Sequence, residues 1–282
     1  MNRASAGSSS VGGVRLTMVG HSTVQVELDG VTLLTDPLLR DRVLLLRAAR
    51  PPGYRPPRLA PDAVLLSHFH RDHYDPRSLQ LFDRSVPVVG PPGTRARLAK
   101  RGFANAVELE PGETTTVGGV TVRATPAVHG PGAALGFLLA GSARLYFAGD
   151  TDLFPEMAEL GAEGLDAALL PIGGWGLRVP EGHLDPPRAA EALRLLRPRI
   201  AVPMHYGVLR PLGARGFVDR RVGTPEVAFT QLAHEIAPDV DVRVLEPGES
   251  LEVEGRSGEG AAQEGSAGAG VASGGSDTPA TG

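Results

Sequence analysis

The sequence contains no cysteine in its 282 residues. A chain without cysteine forms no disulfide, iron–sulfur centre or thiolate metal site. Any metal ion bound to it would therefore have to be held by histidine and carboxylate side chains.

The sequence also lacks a basic excess and a long apolar run. Its 28 lysines and arginines against 32 acidic residues give a net charge of −4, which argues against nucleic acid as the main partner. No apolar run reaches the length of a membrane span, and the first ten residues contain no apolar leader core. We therefore expect a cytoplasmic protein with no transmembrane segment and no nucleic-acid partner.

The two ends of the chain differ in composition from its centre. Residues 1–12 and 255–282 are rich in Gly, Ser and Ala and show no apolar periodicity, so we expect both to be disordered tails. Residues 13–254 are long enough and apolar enough to bury one large core, which predicts a single domain.

One short segment concentrates the chemically active side chains. His68, His70, Asp72 and His73 follow the apolar run 63–66, which is typical of a buried strand. Such side chains bury poorly without a charged or hydrogen-bonding partner, and ligands of α/β folds usually bind at the carboxyl ends of strands. The segment therefore predicts a divalent metal site, in which the last two residues could face a second ion.

Five more polar residues follow predicted strands. His129 and His205 are candidate ligands, although a lone histidine at a strand end is more often structural. Asp150 comes directly after a glycine, and one carboxylate between two cations is a common way to hold them close together. His21 and Asp36 are either solvated turn residues or supports for the site, with Asp36 accepting a hydrogen bond from a metal-bound imidazole.

His183 lies just ahead of a helix predicted over residues 186–197, with Asp185 as its N-cap and Pro186 as its first residue. The amino end of a helix is suited to anions, so His183 is a candidate for contact with an anionic substrate. His234 lies off the apolar face of the helix predicted over 224–236, and we expect it to be unrelated to the site.

Two further features allow more than one interpretation. Trp175, the only tryptophan, is either a packing residue or a platform for substrate, and packing is the commoner role. The loop over residues 40–61 carries arginines and an apolar patch at 43–46. It is either a lid that contacts an anionic or acyl substrate, or a segment that simply packs on the domain.

These motifs together resemble the metallo-β-lactamase superfamily. The resemblance rests on SHFHRDHYD at 67–75, on His129, on AGDT at 148–151 and on PMHYG at 203–207. Further motifs resemble the branch that contains N-acyl-phosphatidylethanolamine phospholipase D and L-ascorbate-6-phosphate lactonase. They are GHSTVQVELDG at 20–30, LTDP at 34–37, PIGGW at 171–175, GHLDPPRAAEA at 182–192 and EPGES at 246–250.

The resemblance implies a protein of the α/β (α+β) class. Residues 13–254 then form a four-layer αββα sandwich with a two-metal site at one edge of the sheets. It implies that the first metal is held by His68, His70 and His129, and the second by Asp72, His73 and His205, with Asp150 between them. His183 then lies near the reacting group, and His21 and Trp175 lie near the site. We expect two divalent ions, zinc in the first instance, with manganese or iron as alternatives.

The expected activity is hydrolysis of an ester-like bond by metal-activated hydroxide, with Asp72 and His183 as catalytic residues. A phosphodiester or another phosphate-bearing substrate, either a small molecule or a lipid-like anion, is favoured. A lactonase or amidase would use the same ions. A di-iron redox or metal-binding protein is a third possibility, but relatives of that kind usually carry a carboxylate in place of His70 and a flavin domain, and both are lacking here.

Overall fold

The computed structural model describes residues 13–43, 46–48, 54–174, 179–207, 209–211 and 224–255. Trp175, the first predicted tail, and the second tail beyond residue 255 lie outside the described residues. The same holds for residues 44–45 and 49–53 of the loop over 40–61.

The strands alternate with a few short helices. In chain order the strands are β1 (Gly13–Gly20), β2 (Thr23–Leu28), β3 (Val31–Thr35), β4 (Arg42–Val43), β5 (Leu46–Ala48), β6 (Ala63–Leu65), β7 (Val88–Gly90), β8 (Ala106–Glu108), β9 (Thr114–Val117), β10 (Val120–Pro126), β11 (Leu135–Ala140), β12 (Arg144–Phe147), β13 (Ala167–Pro171), β14 (Ile200–Met204), β15 (Leu209–Pro211), β16 (Asp241–Val242) and β17 (Ser250–Glu254). The helices are α1 (Pro76–Leu79), α2 (Thr94–Ala99), α3 (Met157–Ala162), α4 (Pro186–Leu196) and α5 (Pro225–Ile236).

Within the described ranges, the strands form two sheets of seven strands and a small three-stranded sheet. The order of the first sheet is β17-β1-β2-β3-β6-β7-β8, and that of the second is β16-β14-β13-β12-β11-β10-β9. Each large sheet is antiparallel in one half and parallel in the other, with the change at β3 in the first sheet and at β12 in the second. The parallel halves place several strand ends at one edge of each sheet.

The two sheets face each other across the main core. That core is formed by alternate residues of both sheets, such as Leu16 and Val26 from the first and Phe137 and Leu145 from the second. A second apolar cluster packs α3, α4 and α5 on the outside of the second sheet, and a third packs α1 and α2 on the outside of the first. The predicted αββα sandwich is confirmed.

Local chemistry explains several element boundaries. Asp29 and Gly30 both have positive φ, 52° and 79°, as a type I′ turn between β2 and β3 requires. Asp185 accepts a hydrogen bond from the Arg188 amide as the predicted cap of α4. Gly93, with φ 95°, is the N-cap residue of α2, while the Thr94 hydroxyl donates to the Pro91 carbonyl.

The apolar patch of the loop over 40–61 packs on the protein where it is described. Val43 and Leu46 are buried with Leu38 and Leu209 in a small cluster, and their strands belong to the three-stranded sheet. None of the described helices is long and apolar enough to cross a membrane.

Gly161 lies inside α3, one residue before the helix ends. A Cβ at this position would lie 2.3 Å from the Leu195 carbonyl oxygen and 2.7 Å from that of Leu196. The absence of a side chain therefore lets α3 pack directly against the backbone at the end of α4.

We expect Gly161→Ala to destabilise the protein by about 1–3 kcal/mol, because the backbone of α4 must move to admit one methyl group. The measurement is the free energy of unfolding in urea. Ala158→Ser, which adds one heavy atom at an exposed position of the same helix, is the matched control. Equal stability of the two variants would contradict the close packing of α3 on α4.

Candidate metal centre

The loop that follows β6 is fixed to the end of β3 by the buried carboxylate of Asp36. The Ser67 amide donates to Asp36 Oδ1 at 2.8 Å, and the Ser67 hydroxyl donates to Oδ2 at 2.6 Å. His73 Nδ1 donates to the same Oδ2 at 2.7 Å. Asp36 thus holds both the start and the interior of the histidine-rich loop.

The buried histidines are oriented through their Nδ1 atoms. His68 Nδ1 lies 2.9 Å from the Ser67 hydroxyl. His129 Nδ1 donates to the Gly182 carbonyl at 2.8 Å, and His205 Nδ1 donates to the Gly173 carbonyl at 3.0 Å. Since these contacts occupy Nδ1, they leave Nε2 as the ligand atom and fix the direction of each ring.

The ring nitrogens converge with two carboxylates. Among the described residues there are four groups, and the ligand atoms within each group lie within 4.8 Å of one another: His21, Asp72, His73 and His205; His68, His70 and His129; His68, His73 and Asp150; His129, Asp150 and His183. Every metal ligand predicted from the sequence falls within these groups, which join into one cluster through shared members.

Asp150 lies at the middle of the cluster. Its Oδ2 atom is 3.0 Å from His73 Nε2, 3.1 Å from His205 Nε2, 3.4 Å from His183 Nε2 and 3.9 Å from His68 Nε2. The side chain is buried, so this carboxylate contacts both predicted ligand sets from one position.

The donor atoms fit a metal ion. The Nε2 atom of His68 and the Oδ1 atom of Asp150 are buried, and within the described residues they form no hydrogen bond. Buried polar atoms normally have a partner, and imidazole nitrogen with carboxylate oxygen is a set that zinc-like cations accept. The cluster is therefore able to bind metal.

The charges of the cluster compensate one another. Burial would raise the pKa of Asp150, but His205 and His73 hold that pKa well below its usual range. Burial would lower the pKa of His205, but Asp150 and Asp72 outweigh it and raise the pKa to about 9. The pKa of His73 is likewise well above its usual value, because the same carboxylates outweigh burial. Protons on these imidazoles thus balance the carboxylates until a cation replaces them.

His21 lies within the cluster, next to Asp72 and His205. Its Nε2 donates to Asp72 Oδ2 at 3.1 Å, and its ring centroid is 4.2 Å from that of His205. Burial and the neighbouring His205 lower the pKa of His21 to about 4, so the imidazole is neutral near pH 7. His21 therefore supports Asp72 as a hydrogen-bond donor without adding positive charge.

His70 and His183 are the more accessible members. His70 is exposed, and its Nδ1 lies 3.0 Å from His129 Nε2. His183 is half-buried, with its ring centroid 4.5 Å from that of His129. His234 is exposed on α5 and belongs to none of the groups within the described ranges.

Backbone strain accompanies the cluster. His21, Asp36 and His205 have φ of 58°, 32° and 59°, in a region that residues other than glycine rarely adopt. Each follows a strand directly, and the turn aims its side chain back toward the site. Strain of this kind persists where the surrounding contacts impose it, and it is common at functional sites.

Some features of the site leave little trace in the sequence. The acceptors for His129 and His205 are backbone carbonyls, which no residue type reveals. Arg40 forms two hydrogen bonds with Asp75, of 2.7 and 2.8 Å, and Asp75 caps α1. The Asp-Pro pair at 75–76 would have indicated the cap, but nothing adjacent indicates its arginine partner.

In the part of the chain that the structure describes, a larger and a smaller cavity adjoin the cluster. The larger, of about 530 Å³, contacts Asp72, Asp150, His183 and His205, and its remaining lining includes Arg71 and Glu181. The smaller, of about 230 Å³, contacts His68, His70 and His129. A substrate can therefore approach the clustered ligand atoms from solvent.

Comparison with known proteins agrees with this geometry. Residues 32–206 match the model of the beta-lactamase superfamily domain. The chain is 33% identical over 253 residues to a UPF0173 metal-dependent hydrolase of Methanopyrus kandleri, a match that covers 85% of this chain and all of the relative. It is 34% identical over 258 residues to a UPF0173 metal-dependent hydrolase of Opitutus terrae, again over 85% of this chain and all of the relative.

A solved structure supports the same assignment. Igni18, described as a novel metallo hydrolase from the archaeon Ignicoccus hospitalis, superposes with a TM-score of 0.64 at 28% identity. The superposition covers 86% of this chain and 99% of that protein. The superfamily expected from the sequence motifs is confirmed: the chain belongs to the beta-lactamase superfamily and, within it, to the UPF0173 metal-dependent hydrolases.

Proposed function

We propose that the domain over residues 13–254 hydrolyses an ester-like bond with two divalent metal ions, zinc in the first instance. His68, His70 and His129 would hold one ion, and Asp72, His73 and His205 the other, with Asp150 between them. The position of Asp150 Oδ2 within 3.9 Å of Nε2 atoms from both sets carries the proposal. Such ions supply Lewis acidity and lower the pKa of water toward neutrality.

His183 and Asp72 have further roles in the reaction. His183 Nδ1 donates to the Glu181 carbonyl at 3.3 Å, and its Nε2 lies 3.4 Å from Asp150 at the larger cavity. We assign His183 to protonate the leaving oxygen or to steady anionic charge. The ionised carboxylate of Asp72, held by His21, orients the attacking water.

A phosphodiester or another phosphate-bearing substrate, a small molecule or a lipid-like anion, is our first choice. The larger cavity has room for such a group, and Arg71 at its wall supplies a positive charge. The same wall carries Asp72, Asp150 and Glu181, which favour a neutral carbonyl compound until metal ions balance them. A lactone or amide is therefore the second candidate.

The direct test combines elemental analysis with turnover of bis-p-nitrophenyl phosphate. We expect about two metal ions per chain and activity that chelation removes and added metal restores. His68→Ala and Asp150→Ala should lose metal and at least about a hundredfold in kcat/KM, the scale of losing one charge-stabilising group. His234→Ala is the exposed control. Metal without phosphodiester turnover would shift the assignment to lactones or amides, and absence of metal would refute it.

His183→Ala should reduce kcat by about 10²–10⁴, the usual contribution of a proton donor, while the metal content stays unchanged. Steady-state kinetics and elemental analysis of the same preparation measure the two effects. Loss of metal from this variant would contradict the division of roles, because His183 would then be a ligand.

Zinc binding should release protons, because a metal needs neutral imidazole and His205 has a pKa of about 9. The apparent affinity for zinc should thus rise with pH up to at least about pH 9, the pKa of His205. Titration calorimetry of metal-free protein, in buffers of different ionisation enthalpy, measures the release. A zinc affinity independent of pH would show that the His205 imidazole is already neutral in the metal-free protein.

A further inference from the structure

The smaller cavity, of about 230 Å³, has no part in the hydrolysis as described. It shares His70 and His129 with the larger cavity, so the two spaces meet at the same pair of imidazoles. Its outer wall is formed by residues 131–134, three of which are glycine or alanine, so the wall leaves room for a substrate group. A substrate bound at the cluster can therefore extend in this second direction.

The two cavities differ in charge. Three carboxylates line the larger one, belonging to Asp72, Asp150 and Glu181. Among the described residues, no carboxylate lines the smaller one, and Arg97 is the permanently charged residue of its wall. An anionic group is therefore attracted to the smaller cavity and repelled by part of the larger one.

Arg97 is held in place for such a contact. Its guanidinium carbon lies 3.8 Å from the ring centroid of Phe69, which stands between His68 and His70 in the chain. Its NH1 donates to the Gly93 carbonyl at 3.2 Å. A Cβ at residue 93 would lie 2.6 Å from NH1, so the glycine gives the guanidinium its place over the ring.

The remaining donors of this guanidinium are available. Within the described part of the chain, Arg97 forms no ion pair, and its side chain is exposed at the cavity. A guanidinium fixed by stacking presents its N–H groups as a planar fork, which matches the two oxygens of a carboxylate. Little side-chain freedom then remains to be lost on binding.

We propose that the smaller cavity is an anion-binding subsite, in which Arg97 pairs with a carboxylate on the substrate arm beyond the metal cluster. The substrate is then bipartite, with its scissile ester-like bond at the cluster and a second, anionic group in the subsite. This inference rests on the proposed function, since the cluster must hold the reacting group.

The test measures binding without turnover. The ligands are carboxyphenylphosphonates, substituted at the 3- or 4-position, and the corresponding carbamoylphenylphosphonates, which have nearly the same shape without the negative charge. The phosphonate occupies the cluster, and calorimetry on the metal-loaded protein gives the ratio of the two affinities. The variants are Arg97→Gln, Arg97→Lys and, as a matched control on the same helix, Arg95→Gln, whose side chain does not line the cavity.

The wild-type protein and Arg95→Gln should prefer the carboxylate by about fivefold to tenfold at one of the two positions, the scale of a charge-assisted hydrogen bond at a partly exposed site. Arg97→Gln should abolish the preference, and Arg97→Lys should restore part of it. A wild-type protein without the preference, or a preference that survives Arg97→Gln, would overturn the proposal. Turnover of bis-p-nitrophenyl phosphate tests the hydrolase separately, so a failure of the subsite can be distinguished from a failure of the proposed function.

Discussion

The buried carboxylates of Asp72 and Asp150 constrain the positions of the residues around them. An unpaired charge in a protein interior is very costly, so each of these side chains requires positive partners at close range. Those partners come from far apart in the chain: His73 lies after β6 and His205 after β14, while the neutral His21 after β1 adds a hydrogen bond to Asp72. The two sheets must face each other in one relative position for these strand ends to meet, which makes the electrostatics of the cluster a constraint on the whole sandwich.

The order and direction of the strands satisfy this constraint. In each large sheet, one half consists of parallel strands, and site residues follow the ends of these strands. The parallel strands include β3 and β6 in the first sheet and β12 to β14 in the second. Parallel strands bring their carboxyl ends to one edge, where the loops are free of ladder hydrogen bonds. The antiparallel halves add His21 after β1 and His129 after β10. The apolar pattern of the strands thus places the ligands without any ligand having to form the core.

Much of this arrangement is predictable because strands and turns are signalled locally. The dense motif around His68 and the lone residues at strand ends, such as Asp150, stand out against apolar runs, and the superfamily resemblance joins them into one site. What stays hidden depends on contacts across the chain. The carbonyl of Gly182, the pairing of Arg40 with Asp75 and the glycine at 161 reflect spatial neighbours, which periodicity does not record. For His21, sequence alone leaves a solvated turn residue and a support for the site equally open, and its burial beside Asp72 and His205 favours the support.

The segment at 182–183 contacts two parts of the site at once. The Gly182 carbonyl accepts the hydrogen bond that orients His129, and the His183 side chain contacts Asp150 at the larger cavity. A ligand that displaces this segment must therefore also alter the hold on the His129 ring. By thermodynamic reciprocity, any change that the ligand causes in metal affinity is matched by an equal effect of the metal on ligand affinity. Metal binding and substrate binding are in this way thermodynamically linked through Gly182 and His183.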